Sequence, residues 1–375
     1  MQLSILNYAE NQAPGLVGIA RLAAQGEHIR EGHDVEYFTL PTKSILNRCT
    51  SSRRMPFTWT INPYRGCEFA CKYCYARYTH EFMEIRDNVE FERKIYVKQQ
   101  AAWLLRQELR KVKPGEEIAI GTATDPYQPA EKRYEVARAI LEELANHTGH
   151  DIGIVTKSNL VLRDIDVLKR IAEHNEIFIN LTITTMDVQL ARTLEPRAPR
   201  PDLRLEAVRK LNEAGVPAGV IVAPVMPGIT DSVANLETVV AATREAGGRY
   251  IFANPLFLKP CSASVFLPFL EREFPHLVAD YRERYSSRAF LPANYQKHIS
   301  GLMADLRRKY GFPARHEYMS APKQSRQTSE PGRDRRKRSL QTHDSSSEQL
   351  NLALTHHPSD YFGFRGYVAL AGQGA

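Results

Sequence analysis

The 375-residue sequence lacks any apolar run close to the ~18 residues that a membrane-spanning helix needs. Its start, MQLSILNYAENQAPG, lacks the basic flank, apolar stretch and small-residue cleavage site of a secretory signal. It has five cysteines, three of them clustered, which are too few and too close for a disulfide framework. We therefore expect a cytoplasmic protein with reduced thiols and no membrane partner.

Most of the chain also lacks an excess of positive or negative charge. The formal net charge is +7, but residues 323–339 hold seven basic residues against two acidic ones, and the remainder is close to balanced. That stretch predicts either a solvated, disordered linker or a basic arm that binds phosphate backbones by counterion release. With 43% hydrophobic and 25% charged residues, the chain as a whole has the composition of a globular protein.

Strand and helix patterns alternate regularly from Phe57 onward. The predicted strands are FTWTIN, EIAIGTA (117–123), DIGIVTK (151–157), EIFINLTITT (176–185), VPAGVIVAPV (216–225) and RYIFANPL (249–256). The predicted helices are 134–147, 164–175, 201–215 and 231–248. Six strands are too few for a complete eight-stranded barrel, so the pattern leaves a partial barrel and an open sheet as alternatives. Both place active residues at the carboxyl ends of the strands.

Changes in composition divide the chain into five predicted segments. After about residue 320 comes a stretch without apolar period, APKQSRQTSEPGRDRRKRSLQTHDSSSEQ, which we expect to be unpacked. The segments are an N-terminal extension (1–55), the core (56–260), a C-terminal helical extension (261–320), a disordered basic linker (321–348) and a C-terminal tail (349–375).

The run NPYRGCEFACKYCYAR places Cys67, Cys71 and Cys74 as CxxxCxxC directly after the first predicted core strand. Three thiolates can hold a four-iron cluster and leave one iron open. An open metal position is typical of catalysis, because a substrate or cofactor can occupy it. The motif therefore indicates an enzyme. The alternative is a structural zinc site completed by His80, in a nucleic-acid-binding protein without catalysis.

CxxxCxxC followed by the aromatic Tyr75 resembles the signature of the radical S-adenosylmethionine (SAM) superfamily. With TDPYQPAE at Thr124–Glu131, it is similar to the spore photolyase-like branch, over residues 56–260. The resemblance implies a partial (β/α)6 barrel with a [4Fe–4S] cluster whose open iron binds SAM. It also implies an electron donor such as flavodoxin or ferredoxin. The electron would cleave SAM to methionine and a 5′-deoxyadenosyl radical, which abstracts hydrogen from a substrate that the sequence does not identify.

Polar residues at the strand ends are candidates for binding this cofactor. The resemblance assigns adenine packing to Tyr75, the methionine amino group to Thr122, Thr124 and Asp125, the carboxylate to Lys157, and the ribose hydroxyls to Thr182 and Thr184. Each has a plainer alternative: core packing for the tyrosine, capping of the turn before Pro126, and a solvated charge for the lysine. For Arg197, in the run Glu195-Pro196-Arg197, contact with an anionic substrate and a helix cap both remain open.

One departure from the family concerns a cysteine. Spore photolyases carry, in the second-strand region, a cysteine that returns a hydrogen atom to the product, whereas EIAIGTATDP contains none. The resemblance therefore leaves lesion repair open, and nucleic acid stays a candidate substrate. Cys261, beyond the sixth predicted strand, is a candidate catalytic substitute, with a small buried hydrophobe as the alternative.

Overall fold

A computed structural model describes residues 15–32, 34–49 and 57–313. The strands are β1 (His28–Gly32), β2 (Val35–Thr39), β3 (Leu46–Arg48), β4 (Trp59–Ile61), β5 (Tyr64–Arg65), β6 (Lys94–Val97), β7 (Glu117–Ile120), β8 (Asp151–Thr156), β9 (Glu176–Thr182), β10 (Ala218–Val225) and β11 (Ile251–Pro255). The helices are α1 (Gly18–Ala24), α2 (Tyr78–Glu81), α3 (Ala101–Glu108), α4 (Glu131–Tyr134), α5 (Val136–Leu144), α6 (Ile165–His174), α7 (Val188–Leu194), α8 (Pro201–Glu213), α9 (Val233–Glu245), α10 (Pro260–Glu273), α11 (Val278–Arg284) and α12 (Ala293–Lys309). The predicted linker 321–348, with its basic stretch, and the tail 349–375 lie outside the described residues.

The larger sheet has seven strands in the order β11-β10-β9-β8-β7-β4-β3. All pairings from β4 to β11 are parallel, and β3 adds an antiparallel edge beside β4. The six parallel strands are those expected from the sequence. They follow one another in chain order, without the reversal that defines a doubly wound sheet, so right-handed crossovers place the helices on one face. The alternative of an open doubly wound sheet is wrong, and the partial barrel is confirmed.

Side chains alternate between the two faces of this sheet. Ile154 and Val220 on the outer face belong to the main hydrophobic core, together with Ile140 of α5 and Val167 of α6. Their neighbours Val155 and Ile221 point the other way and pack around Phe57 in a separate inner cluster. The period of two therefore separates a helix-covered face from the inner face of the barrel.

Local signals in the sequence explain where the covering helices begin. The Asp187 carboxylate caps α7 by accepting from the backbone N–H groups of Gln189 and Leu190 at 2.8 and 3.0 Å. Ser232 caps α9 through Asn235 N at 3.2 Å, and α8 begins with Pro201, which has no N–H to satisfy.

A second sheet, in the order β1-β2-β6-β5, joins the N-terminal segment to the core. Strand β2 pairs in parallel with β6, and β6 pairs antiparallel with β5, which lies immediately before the cysteine motif. At the other end of the described chain, Phe257 pairs with Phe290, and α10 packs against the short helix Tyr75–Arg77. Both flanking segments therefore contact the cysteine region. None of the helices in the described ranges is long and apolar enough to cross a membrane.

Candidate active site

The carboxyl ends of the six parallel strands surround a cleft whose empty space, including the part open to solvent, is about 940 Å³. Nine of the sequence-predicted residues line it: Cys67, Cys71, Cys74, Tyr75, Thr122, Thr124, Asp125, Lys157 and Thr182. Most of the other lining residues are apolar, including Phe69, Phe91, Val155, Ile221 and Phe257. A mostly apolar cleft of this size with a few polar groups can bury most of a nucleoside-sized cofactor.

The loop that carries the cysteines turns sharply at its start. Gly66 has a φ of 83°, and a Cβ there would lie 2.6 Å from the carbonyl oxygen of Lys94, so no other residue fits without displacement. Its own carbonyl accepts hydrogen bonds from Thr124 Oγ1 at 2.6 Å and Gln128 Nε2 at 3.1 Å. The Gln128 Oε1 atom in turn accepts from Glu68 N at 3.0 Å. These bonds hold the loop against the end of β7.

Glu68, between the first two cysteines, ties the loop to two further elements. Its carboxylate accepts from Tyr37 Oη of β2 at 2.9 Å and from Ala130 N, just before α4, at 2.7 Å. Desolvation raises the pKa of Glu68, while these two donors oppose that rise. The loop is thus fixed by the N-terminal sheet as well as by the barrel.

Arg77 is fully buried behind the second half of the motif. Its Nη2 atom donates to the Cys71 carbonyl at 3.0 Å and pairs with Glu92 at 2.6 Å, while Nη1 donates to the Asn88 carbonyl at 2.7 Å. On the other side, Ser262 Oγ of α10 donates to the Cys74 carbonyl at 3.0 Å. The cysteine backbone is therefore held from outside the cleft by one charge-assisted bond, from Arg77, and one neutral bond, from Ser262.

All three motif thiols are desolvated. Burial raises the pKa of Cys67 well above its ordinary value, raises that of Cys71 to about 12, and raises that of Cys74. Cysteines bind metal as thiolates, so each thiol must lose its proton. The positive charge of the bound metal then takes the place of that proton. Three thiols on one wall, next to the Lys157 ammonium, suit an iron–sulfur cluster, in which each cysteine binds a different iron.

Asp125 joins two neighbouring strand ends. Its carboxylate accepts from Thr156 Oγ1 at 2.6 Å, from Lys157 N at 2.7 Å and from Tyr127 N at 3.0 Å. Burial raises the pKa of Asp125, and these donors partly offset that effect. The bond to Tyr127 N caps the turn before Pro126, which was the alternative role considered from the sequence. Asp125 therefore both caps the turn and lines the cleft.

Lys157 places a half-buried ammonium group on the cleft wall, 5.6 Å from the centre of the Tyr73 ring. Burial lowers the pKa of Lys157, but the electrostatic influence of Cys71 and Glu195 outweighs burial, and the net shift is upward. The lysine therefore stays cationic in a desolvated site, where it can pair with an anionic ligand group.

Two predicted residues do not reach the cleft lining. Strand β9 ends at Thr182, so its alternation stops before Thr184, which is buried and whose carbonyl accepts from Asn235 Nδ2 at 3.2 Å. Cys261 does not follow a strand end but lies in the first turn of α10, with its sulfur 3.8 Å from Ser262 Oγ.

The alternative zinc ligand, His80, is engaged elsewhere. Its Nε2 donates to the Lys94 carbonyl at 3.0 Å, and its ring packs edge-on against Phe91 and Tyr96. Burial lowers the pKa of His80 to about 3. In the described part of the chain, no three His, Cys, Asp or Glu side chains are grouped closely enough to bind one metal ion. The predicted Cys67–Cys71–Cys74–His80 zinc site is not assembled.

Several residues that position the site were not identified from the sequence. Asn62, Gln128 and Arg77 act through side-chain bonds to backbone groups, such as the 2.7 Å bond from Ala123 N to Asn62 Oδ1. Each lies inside a quoted motif, in NPYRG, TDPYQPAE and CYAR respectively, but spacing alone does not reveal which backbone groups they meet.

Comparisons with known proteins agree with this geometry. The model of the radical SAM superfamily matches residues 61–237. An uncharacterized protein of Mycobacterium tuberculosis is 35% identical over 275 residues, which cover 73% of this chain and 81% of that protein. An uncharacterized protein of Methanocaldococcus jannaschii is 30% identical over 217 residues, covering 58% of this chain and 76% of that one.

Solved structures of spore photoproduct lyase share the fold. One complexed with dinucleoside spore photoproduct has a TM-score of 0.55 at 15% identity, covering 73% of this chain and 79% of that chain. A variant with bound AdoMet and the same dinucleoside has a TM-score of 0.54 at 15% identity, covering 71% and 76%. The chain belongs to the radical SAM superfamily, and it is a radical SAM enzyme. The alternative of a nucleic-acid-binding protein without catalysis is therefore wrong.

Proposed function

We propose that this enzyme binds a [4Fe–4S] cluster through Cys67, Cys71 and Cys74 and uses it with SAM to abstract hydrogen from its substrate. The observation that carries the proposal is that the three motif thiols line one cleft with the polar strand ends. When bound, the reduced cluster supplies the electron that splits SAM into methionine and a 5′-deoxyadenosyl radical. A donor such as flavodoxin or ferredoxin would supply that electron in the cell.

The chain's own residues would bind and orient SAM. Lys157 would pair with the carboxylate, and Asp125 with the amino group, because each presents a half-buried ionisable group on the cleft wall. Thr122, Thr124 and Thr182 would complete the polar contacts. Tyr75, whose hydroxyl donates to the Thr122 carbonyl and whose ring lies 6.3 Å from that of Phe257, would pack near the adenine. The apolar remainder of the wall would exclude water from the radical.

Anaerobic reconstitution with iron and sulfide tests the proposal directly. We expect absorption and electron paramagnetic resonance (EPR) signals of a four-iron cluster, and 5′-deoxyadenosine after reduction with SAM present. A reconstituted protein that binds zinc but neither iron nor sulfide, or that forms no 5′-deoxyadenosine, would contradict it.

Replacement of Lys157 by methionine is expected to weaken SAM binding about tenfold or more, because a desolvated charge pair with the carboxylate is lost. Equilibrium binding of radiolabelled SAM to the reconstituted enzyme measures this change. The matched control is Lys169→Met, on the exposed side of α6, which should leave the affinity unchanged. An unaltered affinity in the Lys157 variant would remove this residue from the cofactor site.

Replacement of Cys261 tests the prediction that its thiol returns a hydrogen atom to the substrate. Because its thiol lies in α10 and not on the cleft wall, we expect Cys261→Ala to retain both the cluster and substrate-dependent formation of 5′-deoxyadenosine. Product analysis in D2O would check the transfer itself. A fall in deuterium incorporation in the variant would support the original prediction for this cysteine.

We further propose nucleic acid as the substrate class to test first. The fold neighbour was solved with a dinucleoside, and residues 323–339 carry the excess of basic residues. We expect DNA or RNA oligonucleotides to increase the rate of 5′-deoxyadenosine formation over the rate with SAM alone. If neither nucleic acid changes this rate while another metabolite does, the substrate class is wrong and the radical chemistry stands.

A further inference from the structure

A buried ion pair lies behind the cysteine loop, outside the set of residues that line the cleft. Glu195 and Arg204 are each 1% exposed, and their closest charged atoms are 2.5 Å apart. The pKa of Glu195 is lowered: burial alone would raise it, but Arg204 and Lys157 outweigh burial. Burying two charges costs several kcal/mol per ion by desolvation, so the pair is poor as a source of stability alone.

One side of this pair is attached to the cysteine loop. The Tyr73 hydroxyl, between Cys71 and Cys74, donates to Glu195 Oε1. Two backbone bonds accompany it, from Lys72 N to the Leu194 carbonyl at 3.0 Å and from Arg197 N to the Phe69 carbonyl at 3.3 Å. The segment between α7 and α8 therefore holds the loop at three successive points.

The other side is attached to a strand end that also lines the cleft. Arg204 Nη1 donates to the carbonyl of Thr182, the last residue of β9, at 2.9 Å, and Nε donates to the Pro199 carbonyl at 2.7 Å. Lys157 is placed over the Tyr73 ring and interacts with the Glu195 charge. A chain of contacts thus runs from the metal-binding loop through two buried charges to a strand end on the cleft wall.

We propose that Glu195 is a positioning residue that, through Tyr73 and Arg204, sets the placement of the Cys71–Cys74 half of the loop relative to the Thr182 wall. A cofactor bound between the cluster and that wall must contact both surfaces at once, so their separation decides its affinity. The Glu195 charge also balances Arg204 beside the loop, and thereby contributes to the electrostatic field on the cluster. This inference rests on the proposed function.

Two substitutions separate the hydrogen bond from the charge. Tyr73→Phe removes the bond and keeps the ion pair, and we expect about tenfold weaker SAM binding with near-normal iron content. Glu195→Gln keeps an acceptor for Tyr73 but leaves Arg204 unbalanced, and we expect a positive shift of the cluster's midpoint potential in an EPR-monitored redox titration. Glu206→Gln, which removes a surface ion pair with Arg209 in α8, is the matched control and should change neither quantity.

The apoprotein provides a readout that does not need the cluster. In Tyr73→Phe, we expect iodoacetamide to label Cys71 and Cys74 faster than in the wild type. Cys67 should react at an unchanged rate, because its backbone N–H bonds to the Phe91 carbonyl at 2.9 Å, away from this pair. Mass spectrometry of the labelled peptides distinguishes the three sites.

The outcomes show whether Glu195 positions the cysteine loop or only stabilises the fold. Wild-type SAM affinity and labelling in Tyr73→Phe would overturn the inference, as would a loss of iron that parallels a fall in melting temperature. If Glu195→Gln fails to fold, Tyr73→Phe decides alone, since it retains both buried charges. A wild type that forms no cluster would instead contradict the proposed function, which is a distinguishable result.

Discussion

Cys71→Ala is expected to abolish both the four-iron cluster and the formation of 5′-deoxyadenosine. Two thiolates cannot hold three corners of the cluster, and the cleft offers no spare cysteine, because Cys49 and Cys261 lie outside its lining. Iron and sulfide content, the EPR signal of the reduced protein and chromatographic detection of 5′-deoxyadenosine measure the loss. The expected effect is complete, which makes this the most direct test of the metal site.

The control for this variant is Cys49→Ala, which removes a half-buried thiol that packs against the inner cluster of Phe57, Ala119 and Ile221. Its iron content should match that of the wild type. If the Cys71 variant retains a full cluster, or if the Cys49 variant loses it equally, the assignment of the ligands is wrong.

Arg77→Met is expected to lower the free energy of unfolding by about 3 kcal/mol, because it removes a buried charged donor from three acceptors. The methionine fills much of the volume but leaves the Cys71 and Asn88 carbonyls and the Glu92 carboxylate without their donor. Since one of these carbonyls belongs to a cluster ligand, iron retention should fall as well. Denaturant titration of the apoprotein and chelator-driven iron release measure the two effects.

Arg209→Met is the matched control, since Arg209 pairs with Glu206 and Glu213 on the exposed side of α8. Exposed pairs contribute little because water screens them, so unfolding and iron release should both stay close to those of the wild type. Equal destabilisation by the two substitutions would contradict the role given to burial at Arg77.

The sequence predicted the strands well because their signal is local. Runs such as DIGIVTK and VPAGVIVAPV combine β-branched residues with turn residues at their ends, and the structure has β8 and β10 within them. The choice between a partial barrel and an open sheet was different. It depends on the order of strands in space, which requires all the crossovers to be compared at once.

The candidate site residues also show that local sequence patterns predict some features, while other features depend on the tertiary structure. Thr182 and Thr184 have the spacing of one strand face, yet β9 ends at Thr182 and the next turn takes Thr184 out of the wall. Cys261 follows the sixth strand in sequence, but the chain enters α10 at Pro260 and moves the thiol away from the cleft. The end of β9 decided the position of Thr184, and the start of α10 decided that of Cys261; spacing along the chain determines neither point.

The sequence by itself determined the cysteine motif, the class of enzyme and the set of strands, because metal-ligand spacing and strand patterns are properties of short segments. Tertiary structure alone decided which charges support the motif. Arg77 with Glu92, and Glu195 with Arg204, pair across 15 and 9 residues of chain, and Arg204 then reaches the end of β9. Such contacts depend on how whole elements pack, since a buried charge is stable only where folding brings its partner within reach.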